Sequence, residues 1–140
     1  MTESERAYFD ELVHEAVEQL PEEFRALLDH VPLVVVDEPT SDILRDLGLD
    51  PRDEQEREEL LGLHSGTAIT EASVEHSGEL PSQIHLFRRG IVTHLGGWEA
   101  IRADPEGQDA LFEEIMVTLL HEIGHQMGLD EDDLTRLGYD

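Results

Sequence analysis

His121 and His125 stand four residues apart, and Glu122 directly follows the first of them. On a helix that spacing puts both imidazoles on one face, one turn apart, where their nitrogens can meet a single ion at about 2.0–2.1 Å each. Glu122 can then reach a water held beside the ion and take its proton as a general base. Zinc suits such a site and brings the pKa of a bound water to about 7. The chain has no cysteine, so any metal must be held by histidine and carboxylate.

Two histidines make half a site, and only the tail or the upstream chain can supply the rest. Gly128 follows the histidine pair, and a residue without Cβ can adopt the left-handed conformation that turns the chain sharply back. That turn would aim the next carboxylates at the ion. Asp130, Glu131, Asp132, Asp133 and Asp140 are the candidates in the tail; the plain alternative is that they form the solvated face of a short terminal helix. His14, His30, His64, His76, His85 and His94 are scattered and read as surface or hydrogen-bonded structural groups. Nothing in the spacing brings His94 or Tyr139 to the ion as an oxyanion stabiliser.

The elements that must position the motif follow from hydrophobic periodicity. Asp104-Pro105 predicts a helix start, and Leu111, Phe112, Ile115, Met116, Leu119, Leu120 and Ile123 form an apolar stripe that carries the helix to about Met127. Phe9, Leu12, Val13, Ala16 and Leu20 predict an amphipathic helix over 4–20. Pro21 opens a second helix that stops near His30. Leu33–Val36 and Gln83–Phe87 read as strands, and 68–70 as a further short one. Residues 41–49 predict a short helix. The acidic run 50–59 has no large apolar residue and is expected to be a mobile segment or a solvated helix, after which Leu60-Leu61-Gly62-Leu63 returns to the core.

With 140 residues, 39% of them hydrophobic, the chain fits one domain spanning 1–140. A formal charge of -25 would repel phosphate backbones and anionic lipid, which excludes nucleic acid and membranes as partners. All the basic residues are arginine, a composition that fits a GC-rich genome or adaptation to high salt. No apolar leader or membrane-length run is present, so a cytoplasmic monomer is expected.

The segment from His121 to Leu134, HEIGHQMGLDEDDL, resembles the minimal zincin-like metallopeptidases, a family of small bacterial proteins. Leu20-Pro21-Glu22-Glu23-Phe24, Val36-Asp37-Glu38-Pro39, Leu60–Leu63 and Pro81–Gly90 are similar to its other landmarks, in the same order. The resemblance implies an α/β (α+β) zincin-like fold, with a small twisted sheet packed on the active-site helix. It gives His121 and His125 the metal-ligand role, Glu122 the base role, and Glu131 the third-ligand position. The family pattern has Asp there; Glu is one methylene longer, so it bends to reach the ion or a neighbour substitutes, Asp132 first.

The implied activity is a zinc-dependent metallopeptidase acting on a peptide or protein substrate in a shallow groove. Zincins hold extended peptides along a sheet edge beside the metal helix. Gln83–Phe87 is the expected edge here, and Arg88-Arg89 a candidate holder of an acidic side chain or a C-terminal carboxylate. The plain alternative is that these arginines pair with surface acids. The competing function is a zinc-stabilised binding or structural module without turnover; Glu122, which zinc binding does not require, favours the enzyme.

Overall fold

A computed structural model describes residues 1–65 and 82–139. Among them α1 spans Glu3–Gln19, α2 Glu22–Leu27, β1 Leu33–Val36, α3 Ser41–Asp46, α4 Glu54–Glu59, β2 Gly62–Ser65 and β3 Gln83–Phe87. The chain continues through α5 (Arg88–His94), α6 (Trp98–Ala103), α7 (Gly107–Gln126) and α8 (Glu131–Leu137). Helices thus accompany a small three-stranded mixed sheet, an α+β arrangement. The strand expected over 68–70 lies outside the described residues.

Helix α7 is the hub. It packs against α1, α2, α5, α6, β2 and β3, and its stripe of Leu111, Ile115, Leu119 and Ile123 is fully buried. Phe9 and Leu12 of α1, Phe24 and Leu27 of α2, Ile84 and Leu86 of β3, and Ile91 of α5 complete one continuous core around it. α1 is started by a capping box, in which the Thr2 hydroxyl accepts the Glu5 amide while the Glu5 carboxylate accepts the Thr2 amide. α7 begins two residues later than the Asp104-Pro105 signal predicts. There the Asp104 carbonyl accepts the Gly107 amide and closes a turn first. Gly107 lies so close to α6 that a Cβ would stand 1.9 Å from the Ile101 carbonyl oxygen.

The strand order is β1-β3-β2, with β1 parallel and β2 antiparallel to β3. Gln83–Phe87 is therefore the central strand, which corrects the expectation that it forms the edge. Both of its sides are taken by backbone pairing, leaving none for an added peptide. Alternation along the strands assigns Leu33, Val35, Ile84, Leu86, Gly62 and His64 to one face. α7 covers that face. On the other, the His85 ring lies on Phe87 at 5.8 Å, and burial pushes the His85 imidazole below the usual histidine range.

Arg88 and Arg89 follow β3 directly and are already engaged. Arg88 donates two bonds to Asp10, at 2.9 and 2.8 Å, and one of 3.0 Å to Asp37, tying α5 to α1 and to the end of β1. Arg89 bridges Glu38 at 2.8 Å and Glu58 of α4 at 2.6 Å. The arginines thus pair with acids, as the plain alternative has it. Arg6 also grips Asp37, and the Arg6 bonds, aided by Arg88, hold the Asp37 carboxyl below its usual range. The Arg89–Glu58 pair anchors α4, which has no buried residue of its own.

With 34 acidic and 9 basic residues, most carboxylates have no cationic partner to offset them. Their mutual repulsion acts over the Debye length, which shrinks from about 14 Å near 0.05 M salt to about 3 Å near 1 M. The melting temperature should therefore rise by several degrees across that range, even though the arginine pairs weaken. A thermal scan showing a flat or falling melting temperature would mean that the pairs outweigh the repulsion.

Candidate metal centre

α7 delivers the motif at its C-terminal turn, and the way this helix ends brings the tail back to it. The Gly128 amide bonds the His125 carbonyl at 3.0 Å, and the Leu129 amide bonds the Gly124 carbonyl at 2.9 Å. These are the two bonds of a Schellman ending, with Gly128 in the left-handed region at φ 91°. The reversed chain then points the Leu129 carbonyl at the His125 ring, where it accepts from Nδ1 at 3.0 Å. Fixing the proton on Nδ1 leaves the Nε2 lone pair free for a metal.

The same turn seats α8. Asp130 caps this helix, accepting the Asp133 amide at 2.8 Å, while the Asp133 carboxylate accepts the Asp130 amide at 3.1 Å. That bond holds the Asp133 carboxyl below its usual range. Leu134, fully buried, lies against Gly124 inside the motif, where a Cβ would meet Leu134 Cδ2 at 2.4 Å. The absence of a side chain at 124 thus lets α8 sit directly on α7. Its first residue, Glu131, falls over the two histidines.

The Glu131 Oε1 atom is 2.7 Å from His125 Nε2 and 3.4 Å from His121 Nε2. Within 4.8 Å of one another, His121, His125 and Glu131 each offer one ligand atom. A tetrahedral zinc with bonds of about 2.0–2.1 Å needs ligand atoms about 3.3 Å apart. The residues present fit a zinc ion in donor type and number, and the 3.4 Å between Glu131 and His121 is close to that spacing, while the 2.7 Å to His125 is shorter. Among the described residues Asp132 is not part of this cluster, and Asp130 and Asp133 are occupied in the cap. Asp140 lies outside the described residues. Tyr139 packs edge-on against Phe24, and His94 faces Glu114 at 3.9 Å, so neither joins the cluster.

Glu122 turns toward β2, with its side chain only 12% exposed. There its carboxylate meets His64 of β2, Nδ1 to Oε1 at 3.1 Å, and the His64 ring also stacks on the His125 ring with centroids 5.3 Å apart. Sequence reading missed His64. Its only local signal is the alternation Gly62-x-His64, which puts a bare position and an imidazole on the same strand face. A shallow groove of about 250 Å³ adjoins the centre, lined in part by Gly62, Thr118, His121 and Glu122. Larger hollows around Trp98, of about 410 and 530 Å³, have no histidine in their walls.

No helix among the described residues is long and apolar enough to cross a membrane. No curated protein matches the chain. The family model of the zincin-like metallopeptidases matches residues 28–139. That stretch contains the sheet, the helix with both histidines and the turned-back α8, and the chain belongs to the zincin-like metallopeptidase family.

Proposed function

We propose that the chain is a zinc-dependent peptidase that hydrolyses peptide bonds with an activated water. The observation that carries this reading is the convergence of His121, His125 and Glu131, with Glu122 lining the same groove as His121. His121 and His125 would hold zinc through Nε2, and Glu131 through its carboxylate. When bound, zinc polarises a peptide carbonyl and acidifies a water. Glu122 takes the proton from that water and hands it to the leaving amine, so one carboxylate serves first as base and then as acid.

The half-buried histidines and the adjoining groove support access by an extended segment rather than by a deeply enclosed side chain. Among the described residues β2 pairs only with β3, and it runs beside Glu122. A substrate strand laid along β2 would have its carbonyls aligned by main-chain hydrogen bonds, with little demand on side-chain identity.

Purified without chelator, the protein should contain roughly one zinc per chain and cleave unstructured peptides, and EDTA should abolish the cleavage. Elemental analysis finding no zinc, with no uptake of added zinc, would remove the metal from the reading. Full zinc occupancy with no cleavage across a peptide library would favour the binding module instead.

A further inference from the structure

We propose that His64 is a positioning residue for Glu122, clamping one carboxylate oxygen so that the other faces the reacting water. The proposal deepens the reading of Glu122 as the base and rests on it. β2 presents Gly62 and His64 to α7, and Gly62 allows the close approach. A Cβ at 62 would meet Thr118 Cγ2 at 2.7 Å and Glu122 Cγ at 3.2 Å, so the strand lies directly on the turn of α7 that carries Glu122. Two residues along, the His64 side chain needs to span only the remaining gap, and its Nδ1 stands 3.1 Å from Glu122 Oε1.

The imidazole itself is held. Its ring lies 26° from parallel on the His125 ring, so swinging away from Glu122 would break the stack as well as the hydrogen bond. Glu122 has no other hydrogen-bond partner among the described residues. A free glutamate samples many rotamers, and a base that must sit within hydrogen-bond reach of one water loses rate when it wanders. A bond donated by Nδ1–H to Oε1 fixes the carboxylate plane and leaves Oε2 unencumbered. It also fixes the His64 tautomer, with the proton on Nδ1. His64 lies outside the cluster of ligand atoms formed by His121, His125 and Glu131, so its role is to orient a neighbour.

Two amide replacements separate this role from plain packing. In His64→Asn the amide nitrogen falls near the place of Nδ1, whereas in His64→Gln it falls near that of Nε2. His64→Ala and His64→Gln should lower kcat by about 10–100-fold with KM little changed, and His64→Asn should recover most of the loss. All three should bind zinc as the parent does and melt where it melts. Loss of zinc in His64→Ala would make His64 a ligand and overturn the proposal, as would an equal loss of kcat in all three variants or no loss in any.

A second measurement needs no turnover. In the metal-free protein at about pH 8, above the ordinary histidine pKa, long-range proton–nitrogen NMR should show His64 protonated on Nδ1. Glu122→Ala should shift that proton to Nε2. If the parent protein cleaves nothing, the peptidase reading fails while this measurement still decides the clamp; an Nε2 proton in the parent, or no change in Glu122→Ala, overturns it.

Discussion

Glu122→Gln is expected to keep the bound zinc and to lose peptide hydrolysis by about 10²–10⁴-fold in kcat. The two side chains have the same length and nearly the same volume. The 12%-exposed position beside Gly62 and Thr118 should therefore accept the amide without moving β2 or α7. The Gln oxygen can still accept from His64 Nδ1, so the geometry around the centre survives. What vanishes is basicity: a neutral amide cannot take a proton from water or return one to the leaving amine. Zinc content by elemental analysis and single-turnover cleavage of a fluorogenic peptide measure the two halves separately. A variant that cleaves as fast as the parent would end the general-base assignment. One that also loses zinc would mean that the carboxylate helps to hold the ion. Catalysis and metal retention should thus separate at this residue, which a binding module would not display.

Local signals carried the elements with a clear period or a β-branched run, and long-range packing hid the others. The stripe from Leu111 to Ile123 is legible because twenty residues of helix repeat the same face, and Leu33–Val36 because β-branched residues crowd a short uncharged run. α5 is the opposite case. Its sequence, Arg-Arg-Gly-Ile-Val-Thr-His, contains Gly90 and a run of Ile91, Val92 and Thr93 that isolated peptides do not favour as helix. It is helical because Gly90 lies against the Leu60 backbone, where a Cβ would stand 2.0 Å from the carbonyl oxygen, while Ile91 and Val92 are buried in the core. No window of a few residues contains that information. β3 was legible as a strand but not as the central one, since pairing on both sides is a property of residues some twenty to fifty positions away.

The centre divides along the same line. His121, Glu122 and His125 are adjacent in sequence, and the helix alone aligns them. Glu131 is six residues on, and its approach depends on Gly128, whose turning role is readable in the sequence, and on the seat that Gly124 offers Leu134, which appears only once α8 packs on α7. His64 is separated from Glu122 by 58 positions. Only the antiparallel register, with His64 opposite Ile84, brings it to α7. Its lone imidazole looked like any other scattered histidine until the sheet was assembled.

His121→Ala and His125→Ala should each abolish tight zinc binding, and Glu131→Ala should weaken it by more than the 10–100-fold typical of outer hydrogen-bond partners, while Asp132→Ala binds as the parent does. Glu131 opens α8, whose direction is set by the Schellman turn at Gly128 and whose position is set by Leu134 on Gly124. At the first position of that helix its side chain folds back over His125 and reaches Nε2 at 2.7 Å, so the additional methylene of Glu spans the gap. Asp132, one residue further round the helix, is turned away by about 100° and is shorter. Two neutral imidazoles and one carboxylate also match zinc better than two imidazoles alone, which leave the ion's charge uncompensated. Competition against a chromophoric chelator gives the affinity of each variant, and circular dichroism confirms that the alanine proteins remain folded. Loss of zinc in Asp132→Ala with retention in Glu131→Ala would reverse the assignment, and would mean that α8 rotates by about one residue when the metal binds. Equal retention in both would leave the histidine pair to be completed by a group from elsewhere in the chain.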